Sequence, residues 1–257
     1  RVSAASGEAL VVFFTGPGEF PALCGWAEAL EKEPAVKGVL RNISSLESGT
    51  LYGSETQVLW GEQEIWEEVG GVRYLLGFED FFQSSPEAAL ALQQEVLNEL
   101  SPNGDGRRGD GCGFVLDLYS GVGFFGLALA KRGLPVVCVE YKPGSLIRAV
   151  KAAREQGITG LSAVAGKAEK IMRGFAARGA KFSAVVVDPP RPGIHHKALE
   201  ALAVLAPPKI VYVSCNPVTL ARDLKVFLAH GYTLDKVTGF DLFPQTRHLE
   251  AVAVLSR

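Results

Sequence analysis

The chain has 257 residues, 47% hydrophobic and 21% charged, with a formal net charge of -2. That leaves room for one large domain or two modest ones, and it excludes a disordered or fibrous chain and a uniformly basic nucleic-acid coat. No apolar run approaches the roughly 20 residues needed to span a bilayer. The start, RVSAASGEALVV, lacks the charged-then-apolar pattern of a secretion signal and reads as a trimmed beginning. The four cysteines, Cys24, Cys112, Cys138 and Cys215, show neither a CxxC pair nor a Cys/His metal spacing. A reducing cytoplasm and no metal site are the natural reading.

In chain order, residues 9–15 (ALVVFFT) predict a strand, 21–33 a helix with Leu23, Trp26, Ala27 and Leu30 at helical spacing, and 36–43 a second strand. Short strands are expected at 57–60, 65–69 and 72–76, with turns at Gly61 and Gly70-Gly71. Residues 1–78 thus read as a small α/β (α+β) domain without a catalytic constellation. From 79 to 257 the pattern becomes a regular alternation. Ser85-Pro86-Glu87 opens a helix to about Leu100, with Ser85 as its N-cap. PNGDGRRGDG at 102–111 reads as an exposed loop. Strands are expected at 113–118, 135–140, 161–165, 183–188 and 209–214. Helices fall at about 122–132, 143–156, 168–178, 194–205 and 217–230. Two last strands, 232–240 and 249–256, have no helix between them and should pair antiparallel. The expected fold is a doubly wound, Rossmann-like α/β sheet with an antiparallel last strand, preceded by the small domain.

In such a sheet ligands bind at the carboxyl ends of the strands. There the sequence places Asp117-Leu118-Tyr119-Ser120-Gly121-Val122-Gly123, Glu140, Asp188-Pro189-Pro190-Arg191, and Ser214-Cys215-Asn216-Pro217. The reversed last strand begins at the same edge with His248-Leu249-Glu250. Gly121 and Gly123 allow a tight turn close to a ligand, and an acid at the next strand end, Glu140, can accept ribose hydroxyls. Because Gly126 falls at the third glycine of the dinucleotide fingerprint, NAD is a rival cofactor on this evidence. Cys215 lies at the ligand edge before a helix start that would favour a thiolate, and it faces Glu250 across the sheet. The paired prolines stiffen the turn that aims Asp188 into the crevice. Arg191, His195, His196, Lys197, Arg247 and His248 are basic or titratable groups near that crevice.

FEDFFQSS (78–85), LDLYSGVGFFGLALA (116–130), VVVDPPRPGI (185–194), IVYVSCNPVTLARDL (210–224) and FDLFPQTRHLEAV (240–252) together resemble the RNA 5-methyluridine methyltransferases. The resemblance runs from about Phe78 to the C-terminus. It implies S-adenosylmethionine as cofactor, S-adenosylhomocysteine as product, and a uridine of tRNA or 23S rRNA as target. By position, Cys215 matches the nucleophile that adds to C6 of uracil, and Glu250 the base that removes the C5 proton. Asp188 matches a residue between cofactor and target base. Gln83, Tyr119, Gly121, Glu140 and Asp188 match cofactor contacts. Phe124 stands where relatives have a contacting Asn, so a contact there would be by backbone only.

This chemistry needs a thiol and a carboxylate because uracil C5 is a poor nucleophile until a thiolate has added at C6. Several cytosine-5 methyltransferases carry a Cys in the fourth-strand motif, where this chain has Asp188-Pro189-Pro190, which favours uridine. Departures from the family pattern are Ser120 for Cys, Ser85 for Asn, and the absence of Asn from KAAREQG (151–157). Neither an iron–sulphur Cys cluster nor an oligonucleotide-binding fold is visible. RNA is the expected partner, with no membrane and no obligate protein partner, and the 1–78 domain is expected to position RNA. The alternatives are an NAD-dependent oxidoreductase and a non-catalytic RNA-binding module on the same fold.

Overall fold

The computed structural model describes residues 1–44, 52–101, 113–242, 245–246 and 249–257. The loop expected at 102–111, Cys112, Arg247 and His248 lie outside these residues. The chain divides into two compact units, Arg1–Phe81 and Phe82–Arg257.

The first unit contains β1 (Ala9–Thr15), α1 (Ala22–Glu31), β2 (Val36–Ile43), β3 (Glu55–Gly61), β4 (Glu64–Val69) and β5 (Val72–Gly77). β1 pairs parallel with β2, and β3 joins β2 antiparallel to complete a three-stranded sheet. A parallel β1–β2 pair needs a crossover, and α1 supplies it. Its Ala27 packs with Val36 and Val39 of β2. β4 and β5 form a hairpin through the two-residue turn Gly70-Gly71.

The second unit opens with α2 (Pro86–Leu100). Ser85 caps this helix, its side chain accepting from the Ala88 N–H at 3.3 Å, with Pro86 in the first turn. β6 (Phe114–Leu118), α3 (Phe124–Lys131), β7 (Val136–Glu140), α4 (Pro143–Glu155), β8 (Leu161–Ala165) and α5 (Ala168–Ala177) follow. Then come β9 (Phe182–Val187), α6 (His196–Leu205), β10 (Lys209–Ser214), α7 (Pro217–Ala229), β11 (Thr233–Phe240) and β12 (Glu250–Ser256). The sheet order is β11-β12-β10-β9-β6-β7-β8. The five strands from β6 to β10 run parallel, and β12 runs antiparallel between β10 and β11. The expected Rossmann-like sheet with a reversed last strand is the fold observed.

Central strands are buried on both faces, which is why they read as unbroken apolar runs. Residues 184–187 of β9, 210–214 of β10 and 250–255 of β12 are all buried. The edge strands β8 and β11 are largely exposed. The core between sheet and helices gathers Leu116, Leu118, Val185, Val187, Tyr212, Leu220 and Phe227. Among the described residues no helix is long and apolar enough to cross a membrane.

Candidate active site

The carboxyl ends of the parallel strands set the site residues in one row. Leu118 pairs with Val139 on one side and Val187 on the other, so Glu140, Tyr119 and Asp188 follow at neighbouring strand ends. Val187 pairs with Tyr212 of β10. Ser214 in turn pairs with Ala251, so Cys215 and Glu250 come next on facing strands. In space the order across the sheet is Glu250, Cys215, Asp188, Tyr119, Glu140. Residues far apart in sequence are brought together because β12 is reversed and inserted beside β10.

The glycine turn lies between β6 and α3. Tyr119 takes a left-handed backbone with φ of 66°, a strained state for a bulky side chain. Its hydroxyl accepts from the His195 N–H at 3.4 Å. Gly121 is also left-handed, at φ 54°, and a Cβ there would meet nothing within 4 Å. The space over the turn is open. Glu140 leans onto this turn: its Oε2 accepts from the Gly121 N–H at 3.1 Å and its Oε1 from the Lys142 N–H at 2.9 Å. Each carboxylate oxygen keeps a further lone pair for an outside donor. Gly126 permits the close approach of α3 to the sheet, since a Cβ there would lie 2.4 Å from Cys138 Sγ and 2.9 Å from Asp117 Oδ2. An open glycine turn beside a half-buried acid fits the ribose end of a nucleoside cofactor.

Asp117 sits fully buried beneath the turn, where its Oδ2 accepts from the Gly126 N–H at 2.8 Å. Burial pushes its carboxyl up to about 7, with Glu140 adding to the shift. The sequence placed this acid at the end of the first parallel strand, inside the apolar run FVLDL, without giving it a role.

Three further groups have raised proton affinities. Burial, then the charges of Glu250 and Asp117, hold the Asp188 carboxyl well above the carboxylate range. Burial raises Glu250 to about 7. Burial also raises the Cys215 thiol, with Glu250 and Asp188 adding to it and Arg191 opposing. The expected bias toward a thiolate at the start of α7 therefore does not prevail. Asn216 does cap that helix, accepting from the Val218 N–H at 3.1 Å. Two facing carboxyls and partial burial outweigh the helix end, and Cys215 rests as a thiol.

The Glu250 shift has a sign that can be measured. A carboxyl raised from 4.5 to about 7 stabilises the fold fully below about pH 4.5, and this contribution is lost as pH rises through 7. Glu250→Gln mimics the protonated form. That variant should match the wild type near pH 4.5 and exceed it in stability at pH 8 by on the order of 1–3 kcal/mol, read by urea unfolding. Equal stability of both proteins at pH 8 would show that the carboxyl is not raised.

The other predicted residues are placed as follows. Gln83 is half-buried in the segment before α2 and makes no hydrogen bond to this row among the described residues. Phe124 is buried at the start of α3, its ring against Phe82 at 5.4 Å and its carbonyl accepting from Gln93 Nε2 at 3.2 Å. His195 and His196 stack at 4.5 Å beside a cavity of about 540 Å³ under the loop that follows Asp188. Among the described residues no group of three or more His, Cys, Asp or Glu could hold a metal.

Such a sheet, with a glycine turn, an acid at the second strand end and an acid-Pro-Pro loop at the fourth, defines a Rossmann-like methyltransferase. The sequence profile of the tRNA (uracil-5-)-methyltransferase family matches residues 105–257, and the chain belongs to that family. An RNA methyltransferase of Halalkalibacterium halodurans is 35% identical over 251 residues, covering 97% of this chain and 53% of that protein. One from Streptococcus mutans is 38% identical over 224 residues, covering 86% and 48%. The chain thus spans about half the length of these relatives. Among solved structures, the Pyrococcus abyssi tRNA (uracil-54, C5)-methyltransferase in complex with S-adenosyl-L-homocysteine superposes with a TM-score of 0.77 at 29% identity. It matches over 99% of this chain and 58% of that one. The family uses S-adenosylmethionine, which removes NAD as the rival for the glycine turn.

Proposed function

We propose that this chain methylates C5 of a uridine in tRNA or rRNA, using Cys215 as nucleophile and Glu250 as base. The observation that carries the reading is that the two stand on facing strands at the ligand edge, with Asp188 at the next strand end. Membership of the uracil-5 family supports it. In the first step the Cys215 thiol gives its proton to solvent and its Sγ attacks C6 of uracil; the Sγ–C6 bond forms, and the C5=C6 electron pair moves to give an enolate rich in electrons at C5. S-adenosylmethionine, when bound, supplies the electrophilic methyl group. Glu250 then removes the C5 proton, and that bonding pair restores C5=C6 as the Sγ–C6 bond breaks. A base near 7 is matched to this work at neutral pH. Asp188, at the next strand end, would lie between the cofactor and the target base.

For the cofactor, Glu140 would hold the ribose, and Tyr119 with Gly121 would line the methionine end. Gln83 and the Phe124 backbone would add contacts, and S-adenosylhomocysteine would leave as product. A base within folded RNA must be flipped out to reach the row. The N-terminal unit would position that RNA. A cytoplasmic setting suits the free thiols Cys24, Cys138 and Cys215. Nucleoside mass spectrometry of tRNA and rRNA from cells with and without the protein tests the activity. Loss of one 5-methyluridine is expected, and an unchanged nucleoside content overturns the reading.

Glu140→Ala tests the cofactor assignment separately. It removes the acceptor at the ribose position and the partner of the Gly121 N–H. Titration calorimetry with S-adenosylhomocysteine should read a loss of about 1–3 kcal/mol, the cost of unpaired polar groups. An unaltered affinity would move the ribose elsewhere.

A further inference from the structure

The motif after the nucleophile, Asn216-Pro217-x-Thr219-x-x-Arg222-Asp223, has no role in the reaction as proposed. Its residues recur at helical spacing on one face of α7. That face grips a single stretch of backbone, the loop that follows Asp188. Asn216 Nδ2 donates to the Arg191 carbonyl at 3.2 Å. The Thr219 hydroxyl shares its proton between the carbonyls of Arg191, at 3.2 Å, and Asn216, at 3.1 Å. Arg222 Nη2 donates to the Pro192 carbonyl at 2.9 Å. The Ile194 N–H donates to Asp223 Oδ2 at 2.9 Å.

The anchor of this set is Asp223, which is fully buried. Its carboxylate also accepts from the Tyr212 hydroxyl at 2.7 Å and from Arg222 Nε at 2.8 Å. A buried charge with three kinds of donor is well compensated, and it marks a position where geometry is imposed. Gly193 fits against it: φ there is +82°, and a Cβ would lie 2.6 Å from Arg222 Nη2 and 2.7 Å from Asp223 Oδ2. The loop needs such outside ties. Pro189, Pro190 and Pro192 have no N–H, and the loop's own bond is Gly193 N–H to the Pro190 carbonyl at 2.8 Å.

We infer that Asn216, Thr219, Arg222 and Asp223 are positioning residues that lock the Asp188 loop to the helix following Cys215. The clamp thereby sets the spacing between the acid and the nucleophile. The inference rests on the reading of Cys215 and Asp188 given above. The ties run to backbone atoms of the loop, and they require a glycine at position 193.

Thr219→Val removes one donor at nearly constant volume, and Thr219→Ser restores it. In the intact protein, mass-spectrometric hydrogen exchange at the Arg191, Gly193 and Ile194 amides should rise in the valine variant and return in the serine variant. With tRNA and rRNA from cells lacking the protein as substrate, kcat for 5-methyluridine formation should fall by about 3- to 10-fold for valine, the loss set by one hydrogen bond. The RNA KM and the affinity for S-adenosylhomocysteine should stay within about twofold, since neither is held by Thr219. Wild-type exchange at these amides, an unchanged kcat, or no rescue by serine overturns the inference. A wild-type protein that forms no 5-methyluridine overturns the proposed reaction instead, while the exchange measurement still decides whether the clamp exists.

Discussion

Cys215→Ala is expected to abolish both turnover and the covalent complex that the wild type forms with RNA carrying 5-fluorouridine at the target. Fluorine at C5 cannot leave as a proton does, so the adduct persists once the thiolate has added and C5 has been methylated. Removing the thiol removes the first bond of the sequence, and the loss should approach the background rate, many orders below the enzyme. Glu250→Gln should behave differently. Addition and methylation remain available, whereas proton removal stalls, so this variant should accumulate adduct even with natural uridine. Denaturing gels with labelled RNA read both results. A Cys215→Ala protein that still methylates uridine rules the mechanism out. A Glu250→Gln protein with normal turnover and no adduct keeps the thiol's role and moves the base to another group, Asp188 being the other carboxyl that acts on Cys215.

The second large effect is on stability. Gly25 and Gly126 both lie within helices, and the same substitution should act on them with opposite sign. Nothing lies within 4 Å of a Cβ at Gly25. Gly25→Ala should therefore stabilise the first unit by roughly 0.5–1 kcal/mol through helix propensity alone. At Gly126 the added carbon meets Cys138 Sγ at 2.4 Å and Asp117 Oδ2 at 2.9 Å. Gly126→Ala should cost the second unit about 1–3 kcal/mol as α3 is pushed off β7. That corresponds to a fall in Tm of about 2–4 °C for each kcal/mol in a unit of this size. Cys138→Ala in the same chain should recover part of the loss by clearing the sulphur. Calorimetric unfolding of the four proteins separates these outcomes. Equal shifts at the two glycines would mean that the helix–sheet approach at Gly126 is not a constraint.

Much of the fold was legible because its signals are local. The central strands are covered on both faces, so VVVD and IVYVS read as unbroken apolar runs between turn residues. Caps are set by short-range bonds, and Ser85 could be read as one from Pro86 and its neighbours. The meeting of Cys215 with Glu250 also followed from strand order and the reversal of β12 alone.

The tertiary structure decided what depends on through-space neighbours. Charge and solvent access at Cys215 come from β12 and β9, so its proton affinity is raised where the helix end by itself argued for the reverse. Glu140 was visible as an acid at a strand end, but its hold on the Gly121 N–H depends on how β6 and β7 align. The strained backbone of Tyr119 has no marker in its residue type, since tyrosine carries no preference for the left-handed region. Arg222 and Asp223 stood within a block that carries the family resemblance, but no role could be read for them. Only the packing of α7 against the loop after β9 buries one and turns the pair into a grip on the backbone. The sequence by itself thus determined the order of elements and the chemical types at the ligand edge. Burial, charge coupling and side-chain partners arise between segments distant in the chain, and the folded structure decided them.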